Sequence, residues 1–501
     1  MARLAILAGR SVHIGATWYS VLQQLIADGH VIVATVRPLP DALSNDPRDE
    51  PEIFPRDITT SYFWSIPVQE QALVSMENYL SGDIYPQTHL ILIGMMSRRD
   101  STGTFRNLDR EVVLRRLHLS IFSQLLRSRP THVIFAETPH EVVDFALMRI
   151  AEWMNIPVLF FQTSLVGPQM IARTGIDQIL KVAAPLVGPT NYAADRLAIQ
   201  KISLSAIARL RDGGGTALVA RQQTMDNKSR RISQSLRAMF LEAKRLVNPP
   251  STPLTFFTGH HYIRGRFREA AGRYLEWSLR RSLTLEIGKL PPHRYSEGER
   301  YALFALHYEP ERTSMPEGLP FLSQLDAIVA ARVLLPIEIP LIVKEHYAQQ
   351  SSALRGHVGR SPLFYELLSS IPGVQVVGLG SDARTLAREA ECVFTLTGKI
   401  AIEAVFLGKP AVYFGQPWWT DLPGAISYDK INQWSDIGNV PLPSPETLYA
   451  WFEKKISQSL LVGLGETSPE KYSVRNARLP QNFEKLEMES LISAIREFLT
   501  A

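Results

Sequence analysis

The hydrophobic and polar positions of the chain open on a strand–helix–strand signal. Leu4 to Ala8 is an unbroken apolar run, as expected of a strand covered on both faces in a parallel sheet. A polar, glycine-bounded loop follows, Gly9 to Gly15. Apolar residues then recur at helical spacing from Thr17 to Ala27, and Gly29 is placed to end that helix. Val31 to Val36 reads as the second strand. The alternation continues with a strand at Leu90–Gly94, an amphipathic helix over 109–128 and a strand at His132–Ala136. A helix over 139–154, with Pro139 in its first turn, and a strand at Pro157–Phe161 complete the series.

The pattern breaks over residues 191–300, which read as helices with little strand signal, interrupted at Gly213–Gly215 and Asn248–Pro250. Arginine is dense here (Arg230, Arg231, Arg237, Arg245, Arg264, Arg266, Arg268, Arg273, Arg280, Arg281), and Tyr262, Phe267, Tyr274 and Trp277 are interleaved. From Tyr301 the alternation returns. Strands are predicted at 301–306, 340–343, 374–377, 392–396 and 411–414, and helices at 324–334, 362–369, 382–391 and 399–407. A last amphipathic helix covers 484–500. Alternating strands and helices argue for parallel, doubly wound sheets. The expected fold class is therefore α/β, with two Rossmann-type domains and a helical insertion between them. The boundaries fall at 1–190, 191–300 and 301–480, with the C-terminal helix at 481–501.

Composition narrows the class without changing it. The chain has 501 residues, 45% hydrophobic and 20% charged, an ordinary globular balance for two or three domains. The net charge is +4, so any basic surface must be local. Cys392 is the one cysteine, which excludes an internal disulfide and a cysteine metal cluster and fits a reducing compartment. The apolar run after Met1 is too short for a signal-peptide core. No stretch of about 18 apolar residues is present, so no membrane span is expected. These features predict a cytoplasmic protein that reaches a membrane only from its surface.

The stretch carrying most chemistry runs from Phe394 to Gly415. A buried strand ends at Thr397 and Gly398 opens a helix, which aims free backbone N–H groups outward at the carboxyl edge of a parallel sheet. Such a place favours a phosphate. Glu403 lies between one and two turns into the helix, where a carboxylate can accept hydrogen bonds from a ribose diol. Gly408-Lys409-Pro410 ends the helix before the next strand.

Thr397-Gly398, Glu403-Ala404, Gly408-Lys409-Pro410 and Phe414-Gly415 together resemble the bacterial capsule polysaccharide biosynthesis family, on the GT-B glycosyltransferase fold. Three further segments agree: Leu306-His307-Tyr308-Glu309-Pro310-Glu311; Val343-Lys344-Glu345-His346; and Arg360 with Tyr365, Pro372 and Val374. Glu137-Thr138-Pro139-His140 is similar to a helix start in the N-terminal half. The resemblance covers about residues 300–420 well, 1–190 more weakly and 191–300 not at all. Lys399, Tyr347 and Glu309 depart from the family's pattern.

The resemblance implies two domains facing across a cleft, nucleotide in the C-terminal one and acceptor in the N-terminal one, with the last helix packing back on the first domain. It implies transfer of a sugar, Kdo from CMP-Kdo being the favoured donor, to a surface polysaccharide or its lipid-linked primer. No metal and no cofactor beyond the nucleotide sugar are expected. Nucleotide and donor binding then falls to Lys344, His346, Thr397, Gly398, Lys399 and Glu403, with the helix N-terminus and the basic side chains among them meeting the leaving phosphate's charge. Glu137, His140 and His307 are the candidate catalytic groups, with Glu137 or His140 as general base. Arg10, Ser11 and His13 are candidates for the acceptor side.

Each assignment has a structural alternative. Gly398 can be a tight turn, Glu403 and Lys399 solvated, His307 a satisfied core histidine, and Lys344–His346 a solvated strand end. Glu137 and His140 can be cap residues, and Trp418 and Trp419 packing rather than sugar stacking. The stretch Arg230–Arg281 reads either as a solvated helical face or as a contact for anionic lipid or an anionic glycan. No nucleic-acid recognition motif is present, so no nucleic-acid partner is expected. Rival functions are a sugar-nucleotide epimerase, a polyol-phosphate transferase, or a non-catalytic glycan-binding or assembly protein.

Overall fold

The computed structural model describes residues 1–7, 16–35, 52–53, 67–100, 106–164, 166–180, 182, 192–213, 266–293, 298–351, 354–458, 460–464 and 476–500. The chain divides into two compact units. Unit 1 comprises Met1–Leu92, Glu111–Ala208 and Tyr449–Ala501, and unit 2 comprises Ile93–Arg110 and Arg209–Leu448. Each is α/β and built on one largely parallel sheet.

In unit 1 the strands are β1 (Arg3–Leu7), β2 (Val31–Thr35), β3 (Glu52–Ile53), β4 (His132–Phe135), β5 (Val158–Thr163), β6 (Gln169–Arg173) and β13 (Leu461–Val462). Their order is β13-β6-β5-β4-β1-β2-β3. β1 pairs in parallel with both β2 and β4, so the order reverses beside β1. The helix Ala16–Ala27 packs on this sheet together with the last helix, Phe483–Thr500. Val21, Leu22 and Leu25 meet Leu491, Ile495 and Phe498 in one buried cluster. Arg496 clamps Asp28 at 2.8 Å, and Gly29 ends the first helix at φ +84°, a conformation open to glycine at little cost.

Three expectations need correction here. The apolar run Leu90–Gly94 is not a strand but lies inside the helix Tyr85–Arg99. Thr88, Ile91, Leu92, Met95 and Met96 are buried, at the i, i+3, i+4, i+7, i+8 spacing of one helix face, while Leu90 is 56% exposed. Four apolar residues fit either element, and the flanking spacing decides. The helix after β4 begins at Val142, not at Pro139; Glu141 is still extended at ψ 155°, which leaves Glu137–His140 as a loop. Finally β5 turns back into an antiparallel β6. The turn carries Gly167-Pro168, with Gly167 at φ +99°, a signal that was present in the sequence.

In unit 2 the strands are β7 (Ala302–Ala305), β8 (Leu341–Lys344), β9 (Val374–Val377), β10 (Val393–Thr395), β11 (Ala411–Tyr413) and β12 (Ala425–Ser427). The order is β12-β11-β10-β7-β8-β9, all parallel. This is the doubly wound Rossmann order, and it reverses between β7 and β10. The strands are short and buried on both faces, which explains why they read as continuous apolar runs. Ser323 caps the helix Gln324–Leu334 by accepting the Leu325 N–H, and Asp382 caps Ala383–Glu389 by accepting that of Thr385 at 2.7 Å. Among the described residues no helix is long and apolar enough to cross a membrane.

Candidate functional site

In a doubly wound sheet a ligand finds its place outside the carboxyl ends of the strands where the order reverses. In unit 2 that point lies between His307, which follows β7, and Thr397-Gly398, which follow β10. The structure brings them into contact. The Thr397 N–H donates to His307 Nε2 at 3.3 Å, and Thr397 Oγ1 lies 3.2 Å from the same nitrogen while donating to the Thr313 carbonyl at 2.9 Å. With Nε2 accepting, the proton of the neutral ring sits on Nδ1, which is buried without a hydrogen-bond partner among the described residues. Burial pushes the His307 pKa down to about 3, and the neighbouring His346 and Arg360 add to the shift. Gly398 has no room for a side chain, since a Cβ there would stand 2.6 Å from Thr395 Oγ1 and 3.2 Å from His307 Cε1.

Beside β7, the segment Lys344-Glu345-His346 ends β8. Its middle residue is the structural anchor. The Glu345 carboxylate is fully buried and accepts from Arg360 Nη1 at 2.7 and 2.5 Å, from the Tyr365 hydroxyl at 2.6 Å and from the His346 N–H. Arg360 Nη2 reaches on to the His307 carbonyl at 2.9 Å and to Glu309 at 3.1 Å. One guanidinium thus ties together the chain beyond β7 and the chain beyond β8. Two amides finish the frame: Gln324 brackets the His307 N–H and carbonyl (2.6 and 3.2 Å), and Gln349 does the same for Glu309 (2.9 and 2.8 Å).

Lys344 and His346 flank that anchor. The Lys344 ammonium is buried and donates to the Glu345 carbonyl at 2.7 Å; burial lowers its pKa against the pull of Glu345 and Asp382. His346 accepts the Ala348 N–H on Nδ1 at 3.2 Å, so its neutral ring carries the proton on Nε2. Burial brings its pKa down to about 4. On the other side of the switch point, Lys399 stands at the start of the seven-residue helix Ile400–Phe406. Burial lowers its pKa, with Glu403 and Glu311 opposing the shift, yet among the described residues its ammonium has no carboxylate within ion-pair distance. Burial raises the Glu403 pKa; Arg384, 3.6 Å away, and Lys399 resist it. Asp382 acts on both Lys344 and Glu403, so these groups share one neighbourhood.

Sequence reasoning missed Arg384, Gln324 and Gln349, and took Lys344 and His346 ahead of Glu345. Arg384 also donates to the Leu210 carbonyl at 2.9 Å and to that of Arg211. Nothing local in the sequence marks these residues, because each acts on partners far along the chain. Trp418 and Trp419 are 4% and 0% exposed, so they pack the interior and offer no stacking face.

In unit 1 the order reverses between β1 and β4. Glu137, which follows β4, is buried, and His140 Nδ1 lies 2.8 Å from the Thr138 carbonyl with Nε2 3.9 Å from Glu141. Arg10, Ser11 and His13 directly follow β1 in sequence and lie outside the described residues. Among the described residues no group of three or more His, Cys, Asp or Glu side chains is placed to hold a metal ion.

No protein-family model matches the chain, and no curated protein matches it. Among solved structures it is similar to the KpsC β-Kdo 2,7 transferase of Thermosulfurimonas dismutans, at 11% identity over 69% of this chain and 81% of that one, with a TM-score of 0.27. It is similar to the UDP-GlcNAc 2-epimerase of Neisseria meningitidis bound to UDP-GlcNAc, at 13% identity over the whole of both chains and a TM-score of 0.19. It is also similar to the glycosyltransferase SnogD of Streptomyces nogalater, at 12% identity over 98% and 99% of the two chains and a TM-score of 0.17.

Proposed function

We propose that the chain is a glycosyltransferase that takes its sugar from a nucleotide donor held at the carboxyl edge of the unit 2 sheet. The observation that carries this reading is the two largely buried cations at the carboxyl ends of strands on either side of the switch point, Lys344 at the end of β8 and Lys399 after β10. Burial costs each its preferred charged form, and neither has a carboxylate within ion-pair distance among the described residues. A site that keeps unpaired cations out of water is arranged in advance for an anion, because nothing need reorganise when the charge arrives. The phosphate of a nucleotide sugar supplies that anion, and its charge grows as the bond to the sugar breaks.

Glu403 then accepts hydrogen bonds from a ribose diol. His346, neutral and protonated on Nε2, donates to a phosphate or sugar oxygen. His307, its Nε2 held by the Thr397 N–H, sets the Thr397-Gly398 turn and does not itself take the acceptor's proton. For that proton the motif resemblance suggests Glu137 or His140. CMP-Kdo is the donor, and a surface polysaccharide or its lipid-linked primer the acceptor, that the motif resemblance suggests.

The test is to incubate the full chain with CMP-, UDP- and GDP-sugars, with and without glycan or glycolipid acceptors, and to follow both nucleotide release and the sugar. Nucleotide release that depends on an acceptor supports transfer. Interconversion of the sugar nucleotide without an acceptor replaces it with an epimerase. Binding without turnover of any donor leaves a glycan-binding protein.

A further inference from the structure

The helix Arg266–Lys289 belongs wholly to unit 2 and presents two unlike faces. Its inner face is fixed. Leu283 and Ile287 are buried in the unit 2 core, and Arg280 donates to the Leu354 carbonyl at 2.7 Å. The outer face is exposed at its described residues. Tyr274, Trp277 and Leu285 are 68%, 52% and 53% exposed, with Arg281 exposed among them. The spacing 274, 277, 281, 285 is one stripe along an α-helix. The Tyr274 and Trp277 rings lie 5.8 Å apart with 30° between their planes, so they form one aromatic plate.

The charges on this helix select the occupant. Two of its three carboxylates are paired within the helix, Glu276 with Arg280 and Glu286 with Lys289, each at 2.8 Å, against six basic residues along its length. Arg281 has no ion-pair partner among the described residues, and the sequence adds Arg268 and Arg273 to the same helix. An exposed stripe of Trp, Tyr and Leu interrupted by an unpaired arginine matches the boundary of a bilayer. There indole and phenol rings sit between headgroup and acyl chain, and an arginine stem lies along the apolar layer with its charge at the phosphates.

We infer that the outer face of Arg266–Lys289 docks the protein on an anionic membrane surface, with the helix lying in the plane of the interface. The inference goes beyond the proposed transfer reaction and does not depend on it.

The full chain should sediment with phosphatidylcholine vesicles containing phosphatidylglycerol and far less with phosphatidylcholine alone, and binding should weaken as salt rises. The triple variant Tyr274→Ser/Trp277→Ser/Leu285→Ser should bind anionic vesicles at least about tenfold more weakly. All three residues are exposed, so its melting temperature should stay at the wild-type value. Arg281→Glu gives a second route, with an expected loss of about tenfold or more, since the charge at the surface reverses. Equal binding to neutral and anionic vesicles overturns the inference. So does wild-type-like binding by both variants, or binding of nucleic acid in place of vesicles.

Discussion

Arg360 is the most demanding test of the polar frame behind the site. Its guanidinium is fully buried and makes four hydrogen bonds: two to Glu345 (2.7 and 2.5 Å), one to the His307 carbonyl (2.9 Å) and one to Glu309 (3.1 Å). Arg360→Leu keeps much of the volume but strands the Glu345 carboxylate, which is left with only the Tyr365 hydroxyl and the His346 N–H. Breaking a buried pair from one side costs about 3–5 kcal/mol, because the remaining charge is neither hydrated nor neutralised. Glu345→Gln does the reverse and strands the cation, with Glu309 as partial relief, so its cost should fall at or below the same range. In Arg360→Leu/Glu345→Gln neither charge remains. The double variant should therefore lose less than the two single losses combined, with a coupling of about 1–3 kcal/mol. The assay is urea unfolding followed by the fluorescence of the chain's eight tryptophans, of which the buried Trp418 and Trp419 lie in unit 2, with far-UV circular dichroism as the second probe of two-state behaviour. A cost below about 1 kcal/mol for Arg360→Leu, or single effects that add without coupling, would refute the reasoning.

Acid should unfold unit 2 by way of its neutral histidines. His307 and His346 have folded pKa values near 3 and 4 against the usual 6.5, so below about pH 6.5 the unfolded chain binds protons that the folded chain does not. Stability is present above that pH and falls as pH drops, by about 1.4 kcal/mol per pH unit for each group, until the folded pKa is reached. His307→Gln should make the slope between about pH 6 and 4.5 shallower by one group's worth, read from urea midpoints; an unchanged slope counts against the buried neutral ring. Gly415→Ala should destabilise by about 1–3 kcal/mol, since its Cβ would stand 2.5 Å from the Glu317 carbonyl and 2.8 Å from Thr397 Cγ2; a wild-type melting temperature would contradict that packing. Lys399→Ala should raise the melting temperature without ligand, because it removes a half-buried cation with no carboxylate within ion-pair distance among the described residues, while weakening nucleotide binding at least about tenfold; tighter or equal binding would remove Lys399 from the site.

Much of unit 2 was legible in its sequence because its strands are short apolar runs separated by capped helices. Ser323 and Asp382 mark their helix starts, and Thr397-Gly398 marks the end of β10. The strand order that sets the switch point comes only from the sheet, which brings His307 and Thr397 together. What could not be read was the frame beneath them. Nothing in the sequence singles out Gln324 or Gln349, and only the fold turns their amides onto His307 and Glu309. Lys344 and His346 are the donor-side candidates of Lys344-Glu345-His346, yet Glu345 between them is the buried anchor. The misread at Leu90 has a different cause: four apolar residues in a row carry no period, and the buried positions at 88, 91, 92, 95 and 96 show the helix only over the longer window.

The central claim is that the carboxyl edge of the unit 2 sheet holds a nucleotide. The most direct measurement is a thermal-shift panel of CMP, CDP, UDP, GDP and ADP on the wild type, on Glu403→Ala and on a remote control, Arg496→Ala. A ligand that binds only the folded state raises the melting temperature by mass action. The account predicts that one of these nucleotides, CMP if the donor is CMP-Kdo, stabilises the wild type and the control alike and leaves Glu403→Ala unmoved. No shift with any nucleotide at millimolar concentration, or an equal shift in Glu403→Ala, would contradict it.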